Sequence, residues 1–222
     1  MVRAAVILSG CGVQDGTEIT EAVSVLIALD RAGAEILMCA PDMDQSEVVD
    51  HARGEAVPGK VRGVLSESAR IARGKIQDIK SITSADFDAL IFPGGLGAAK
   101  NLSSFADDGA GCVVHPDVER VILEAFGARK PIAAICIAPV LLARVIGGRG
   151  AVPLLTIGSD EGVAVAMEKM GARHQNCAAG DCVVDEANRL VSTPAYMLAS
   201  GPAEVFEGVE KTVQAVLRLA AN

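Results

Sequence analysis

Five short runs rich in Val, Ile and Leu alternate with longer Ala-rich amphipathic segments, and this alternation restricts the chain to repeated β-α units. The expected strands are 3–9, 34–40, 89–93, 132–135 and 154–157. They read as continuous apolar runs rather than as a polar and apolar alternation, which is the pattern of a parallel sheet covered on both faces. Helices are expected at 17–31, 97–105, 116–128, 138–145, 161–170 and 201–220. Gly33 and Gly171 are placed to end two of them in a left-handed C-cap. The segment 182–192 sets a polar turn between two β-rich runs, so an antiparallel hairpin should edge the sheet. The fold class is therefore α/β, three-layered, with a mostly parallel sheet and helices on both faces. No repeat or linker divides the chain, and 1–222 is expected to form one domain. The stretch 42–84 carries Gly54, Pro58, Gly59, Gly63 and Gly74 and reads either as a layered insertion or as a mobile flap.

Composition narrows the function classes. Aromatic residues are only 3% and Trp is absent, so the core is built from Val, Ile, Leu and Ala. A net charge of -8 without clustered Lys and Arg gives no footprint for nucleic acid. The longest apolar stretch, 131–145, holds two prolines and Arg144 and falls short of the roughly 20 residues of a membrane span. An aqueous, cytoplasmic compartment is expected, with the six cysteines reduced. Cys177, Cys182 and His174 lack Cys-x-x-Cys spacing and a fourth ligand, so no metal is expected.

The chemistry gathers at a few positions. Cys136 ends the apolar run 132–135, and Pro139 sits where the first turn of a helix accepts proline. Ala134 and Ala138 supply the small neighbours that a nucleophile elbow requires. The helix N-terminus aimed at the sulfur would lower its pKa. The competing reading is a small buried core thiol. Glu21 shares one helical stripe with Val25, Ala28 and Leu29, so a carboxyl heads an otherwise apolar row and should have a raised pKa. Its ordinary alternative is a first-turn acid complementing the helix dipole. The turn Phe92-Pro93-Gly94-Gly95-Leu96-Gly97 brings bare backbone N–H groups to the same sheet edge, where they and the amide after Cys136 would form an oxyanion hole, or simply make a tight turn. Gly10-Cys11-Gly12-Val13-Gln14-Asp15-Gly16 resembles a dinucleotide fingerprint with Asp42 as ribose partner, but its last glycine comes one residue too late. Cys11, Gly12, Gly94 and Asn101 are expected to line the pocket.

Taken together, Val6–Gly16, Pro93–Leu102, Cys136–Pro139 and Ser192–Met197 resemble the ElbB-like branch of the ThiJ/PfpI superfamily, along nearly the whole chain. The resemblance implies a flavodoxin-like, class I glutamine amidotransferase-like fold, with Cys136 as nucleophile and Glu21 as its acid/base partner. It places the oxyanion donors at the amides of Gly95 and Ile137. It also implies cofactor-free conversion of glyoxal, a small aldehyde, to glycolate, a homodimer, and an older naming link to isoprenoid biosynthesis. Many members carry a histidine after the strand that follows the elbow helix, whereas 156–160 has none. A Cys-His triad is thus not expected, and nothing in the sequence aims His51, His115 or His174 at Cys136. The competing class is a non-enzymatic redox sensor built on the same thiol.

Overall fold

The computed structural model describes residues 1–221. Along the chain, β1 (Arg3–Ile7), α1 (Ile19–Arg31) and β2 (Glu35–Ala40) form the first unit. The insertion that follows holds an antiparallel ladder of β3 (Val49–Asp50) and β4 (Glu55–Ala56), then α2 (Val64–Ile71) and β5 (Gln77–Asp78). Next, β6 (Ala89–Phe92), α3 (Leu96–Lys100), α4 (Phe105–Asp108) and α5 (Pro116–Gly127) lead to β7 (Ile132–Ile135). After it come α6 (Pro139–Leu142), β8 (Leu154–Leu155), α7 (Glu161–Lys169) and β9 (Arg173–His174). The chain finishes with β10 (Val183–Asp185), β11 (Leu190–Thr193) and α8 (Pro202–Ala221).

Seven strands form the central sheet in the order β10-β11-β7-β6-β1-β2-β5. Every neighbouring pair is parallel except the edge hairpin of β10 and β11. All residues of β6 and β7 are buried, as expected of strands covered on both faces. On α1 the stripe Glu21, Val25, Ala28 and Leu29 turns inward, and α1 packs along α8, while α5 lies against β6 and β7. The chain winds outward from β1 to β2 and β5, then returns to build β6, β7 and β11 on the other side. This reversal places a topological switch point at the carboxyl ends of β1, β6 and β7, where open α/β sheets bind ligands.

Gly33 and Gly171 adopt φ of 69° and 96°, the left-handed caps expected of them. Other expectations are revised. The run 154–157 does not join the central sheet; β8 forms a separate two-stranded ladder with β9. Its donors are drawn sideways, because Asp185 Oδ2 takes the Leu154 N–H at 2.8 Å and Ser192 Oγ takes the Thr156 N–H at 2.8 Å. The helix expected at 97–105 breaks after Lys100, where Ser103 Oγ donates back to the Ala98 carbonyl at 2.9 Å. The helix expected at 138–145 is one α turn followed by a wider π turn over residues 143–147. The glycine-rich stretch 42–84 is a layered insertion, and β5 extends the sheet from it. Among the described residues, no helix is long and apolar enough to cross a membrane.

Candidate active site

β7 ends at Ile135, and the chain then turns so sharply that Cys136 takes φ of 60°. For a residue bearing a Cβ, that conformation costs about 1–3 kcal/mol and persists only when the surroundings enforce it. Here they do so through two bonds. The Cys136 N–H donates to the Thr193 carbonyl of β11 at 2.9 Å, and the Ala138 N–H donates to the Ile135 carbonyl at 3.0 Å. Pro139 opens α6, and Cys136 as a whole is left 8% exposed.

Glu21 meets this thiol from α1. Its carboxyl is fully buried beside the Cys136 side chain, the two meeting at Gly94. Oε2 also accepts the Gly94 N–H at 2.9 Å, and Oε1 accepts the Tyr196 N–H at 3.3 Å. The Tyr196 amide is aimed by Ala195, a second non-glycine residue held left-handed, with φ of 44°. Glu18 fastens the arrangement: its side chain caps α1 by accepting the Glu21 N–H at 2.6 Å, and its own N–H donates to the Gly94 carbonyl at 2.9 Å. The backbone N–H groups of Gly95 and Ile137 lie near enough to the Cys136 sulfur to favour its thiolate. Two strained turns, one helix terminus and one glycine turn therefore converge on a single Cys-Glu pair.

Burial, followed by the charge of Glu18, pushes the Glu21 carboxyl up to about 8, against the pull of the Tyr196 amide, the Cys136 thiol and the Gly94 amide. Burial also pushes the Cys136 thiol well above its ordinary range, with the Glu21 charge adding and the Gly95 and Ile137 amides opposing. The expected lowering by the helix dipole is thus outweighed, because the sulfur is nearly enclosed and α6 is a single turn. Repulsion from Glu21 acts only when that carboxyl is ionised. At about 8, the Glu21 carboxyl can both hold and release a proton near neutral pH.

Gly94 has no room for a side chain. A Cβ there would lie 2.6 Å from Glu21 Oε2 and 2.8 Å from the Ile135 carbonyl, and closer still to Cys136 Cβ. Gly94→Ala is expected to cost about 1–3 kcal/mol of stability by overpacking. Because the clash falls on both members of the pair, alkylation of Cys136 by iodoacetamide should change with it; unaltered thermal unfolding and labelling would show that the turn has slack.

The remaining candidates sort by position. Gly95, with φ of 96°, packs on the Gly16 carbonyl and the Glu18 amide. Gly12 lies beneath the His51 ring, and Cys11 is half-buried with its thiol pushed up by burial and then by Glu67. Asn101 is buried and spends its amide on backbone, donating to the Ser9 and Asp15 carbonyls at 2.9 Å and accepting the Ser46 N–H at 2.9 Å. It buttresses the 10–16 loop. That loop does not present a phosphate cradle: the Gly10, Gly12 and Gly16 amides donate to Ser68 Oγ, the Thr17 carbonyl and the Gly12 carbonyl. The histidines also have their own places. His51 Nε2 accepts the Gln14 N–H at 3.2 Å near Asp15, His115 caps α5, and His174 Nε2 accepts the Ile157 N–H at 3.4 Å. Among the described residues no group of three or more His, Cys, Asp or Glu is arranged to hold a metal. Sequence reasoning missed Glu18 as the tie to Gly94, together with the Thr193 carbonyl and the Tyr196 amide. The conspicuous Ser192–Met197 segment was the available signal for the last two.

Such a pair can add to an electrophilic carbon, hold the resulting oxyanion with two amides and exchange a proton through one carboxyl. Comparison with known proteins gives the family and the fold. Residues 4–195 match the model of the DJ-1/PfpI family. The ES1 protein homolog, mitochondrial, of Rattus norvegicus is 46% identical over 98% of this chain and 84% of its own length. The human glutamine amidotransferase-like class 1 domain-containing protein 3, mitochondrial, is also 46% identical, over 98% and 83%. A crystal structure of an isoprenoid biosynthesis protein with amidotransferase-like domain from Ehrlichia chaffeensis superimposes with a TM-score of 0.91 at 38% identity, covering 98% and 99% of the two chains. The expected cytoplasmic location is corrected by these matches, since the curated relatives, at 46% identity over nearly the full chain, carry a mitochondrial name.

Proposed function

This chain belongs to the DJ-1/PfpI family, and we propose that it is a cofactor-independent glyoxalase of the ElbB-like branch, converting glyoxal to glycolate on Cys136. The observation that carries this reading is the buried Glu21 carboxyl, held by the Gly94 and Tyr196 amides beside the Cys136 thiol.

In the first step the sulfur adds to one aldehyde carbon, its proton passes through Glu21, and the new oxygen becomes the hydroxyl of a hemithioacetal. While charged, that oxygen is held by the Gly95 and Ile137 amides, which lie near the sulfur. Glu21 then removes the proton from the same carbon to give an enediol and returns a proton to the neighbouring carbon. The product is a glycoloyl thioester. Water cleaves it, glycolate leaves, and the sulfur recovers its proton. Each atom is accounted for by glyoxal plus one water, so no electron acceptor is required. A carboxyl pushed up to about 8 suits this role, because both of its protonation states are accessible near neutral pH.

The sensor reading is weaker on the same geometry. A thiol nearly enclosed and raised by burial is a slow target for peroxide. The name of the Ehrlichia protein supports a link to isoprenoid metabolism as a setting, and the chemistry proposed here does not depend on it.

Proton NMR of glyoxal turnover in deuterated water tests the route. Glycolate carrying solvent deuterium at its methylene carbon is the expected product, because Glu21 exchanges its proton between the two carbon steps. Glycolate free of deuterium would mean direct hydride migration and would remove Glu21 as the carbon acid/base.

A further inference from the structure

Away from the Cys-Glu pair, the segment between β9 and β10 carries two thiols that the proposed reaction does not use. Cys177 and Cys182 are both free and half-buried. Between them the chain reverses in a four-residue turn, closed by the Asp181 N–H donating to the Ala178 carbonyl at 3.1 Å. The ends of such a turn approach within about 7 Å, so the residues flanking it on either side are brought opposite one another. A disulfide needs its two Cα atoms about 4.4–6.8 Å apart, and a four-residue turn between two cysteines holds them near that range.

The electrostatics of the two thiols supports the same picture. Burial, then the charge of Asp181, then that of Cys182 pushes the Cys177 thiol up to about 11. The Cys182 thiol is raised by burial and by Asp181 as well. Each thiolate is thus disfavoured on balance, burial and Asp181 outweighing the nearby Lys211. A dithiol of this kind forms its disulfide slowly but, once oxidised, resists reduction.

From the turn and the two flanking thiols we propose that Cys177 and Cys182 form an intrachain disulfide on exposure to hydrogen peroxide. One sulfur attacks the peroxide oxygen, giving a sulfenic acid and releasing water; the second sulfur displaces the hydroxyl of that sulfenic acid as a second water. Two thiols are oxidised and one peroxide is reduced. The bond closes around a turn that supports the elbow. The Asp181 carbonyl accepts Thr193 Oγ1–H at 2.7 Å, and the Thr193 carbonyl accepts the Cys136 N–H at 2.9 Å. Gly208 of α8 packs directly on the Ala179 carbonyl and Thr193 Oγ1, leaving no room for a side chain between them. The crosslink therefore locks the strut that holds Cys136 in its strained conformation.

The test is peptide mapping by mass spectrometry after treatment of the full chain with hydrogen peroxide and alkylation of the remaining thiols. The expected result is a peptide spanning 177–182 that lacks two hydrogens and carries no alkyl group, formed equally in the native protein and in Cys136→Ser. Dithiothreitol should restore both alkylation sites. Cys177→Ser and Cys182→Ser should each leave the partner thiol alkylated, and their circular dichroism should match the native protein. Full alkylation of both residues after peroxide, or oxidation of either one to a sulfinate without a crosslink, would overturn the proposal.

Discussion

Cys136→Ser is expected to abolish glycolate formation, with a fall of roughly 10³-fold or more, because the hydroxyl that replaces the thiol is a far weaker nucleophile at the same elbow. The fold should survive. Serine is no larger than cysteine, so the crowded turn at Gly94 still accepts it, and the bond from the residue 136 amide to the Thr193 carbonyl is independent of the side chain. Thermal unfolding and glycolate assay of the same preparation check both halves. Retained turnover in a well-folded variant would remove the covalent route altogether.

Glu21→Gln carries the second large effect, and it has two separable parts. Turnover should drop by about 10²–10⁴-fold, the usual worth of a positioned acid/base. Stability should change in a manner that depends on pH. The carboxyl moves from an ordinary 4.5 to about 8 on folding, so the folded chain binds this proton more tightly than the unfolded chain between those values. Its stabilising contribution is complete below the ordinary carboxyl value and is lost as pH rises through about 8. At roughly 1.4 kcal/mol per unit, the loss is of the order of 5 kcal/mol. The amide cannot ionise, so it escapes that loss, but it offers one acceptor to the two N–H donors of Gly94 and Tyr196. One unsatisfied buried donor costs about 1–3 kcal/mol. The variant should therefore unfold at a lower temperature than the native protein near pH 5.5 and draw level or pass it near pH 9. Parallel melting curves across that range would show that Glu21 is already ionised in the folded chain.

The sheet was legible because its strands are long uninterrupted apolar runs; 132–135 agrees with β7 to the residue, and 89–93 with β6 within one. The run 154–157 looked the same but was misplaced. Apolar character specifies burial, whereas membership of a ladder depends on which neighbours are free, and here β6 and β11 already flank β7. The edge strand β5 is two polar residues, Gln77 and Asp78, and leaves no apolar trace in the sequence. At the site, Cys136 and Glu21 could be singled out because each sits in a context that suits it poorly as a structural residue: a thiol at a strand end before proline, and an acid heading an apolar stripe. The Thr193 carbonyl and the Tyr196 amide were not foreseeable in the same way. They act through backbone atoms, and a backbone atom has no residue type to read. The thiol's electrostatics were misjudged for a related reason. The dipole of the following helix is visible in sequence, but the degree of enclosure that outweighs it depends on the packing of α1 and the Gly94 turn around the sulfur.

The most direct test of the Cys136-Glu21 account is intact-protein mass spectrometry of the native chain quenched with acid during turnover of glyoxal, followed by peptide mapping. The expected result is a two-carbon adduct on the peptide containing Cys136, a glycoloyl thioester in the native chain and its isomeric hemithioacetal in Glu21→Gln, and absent from Cys136→Ser. Steady glycolate production with Cys136 unmodified at every time point, or an adduct confined to Cys11, would contradict it.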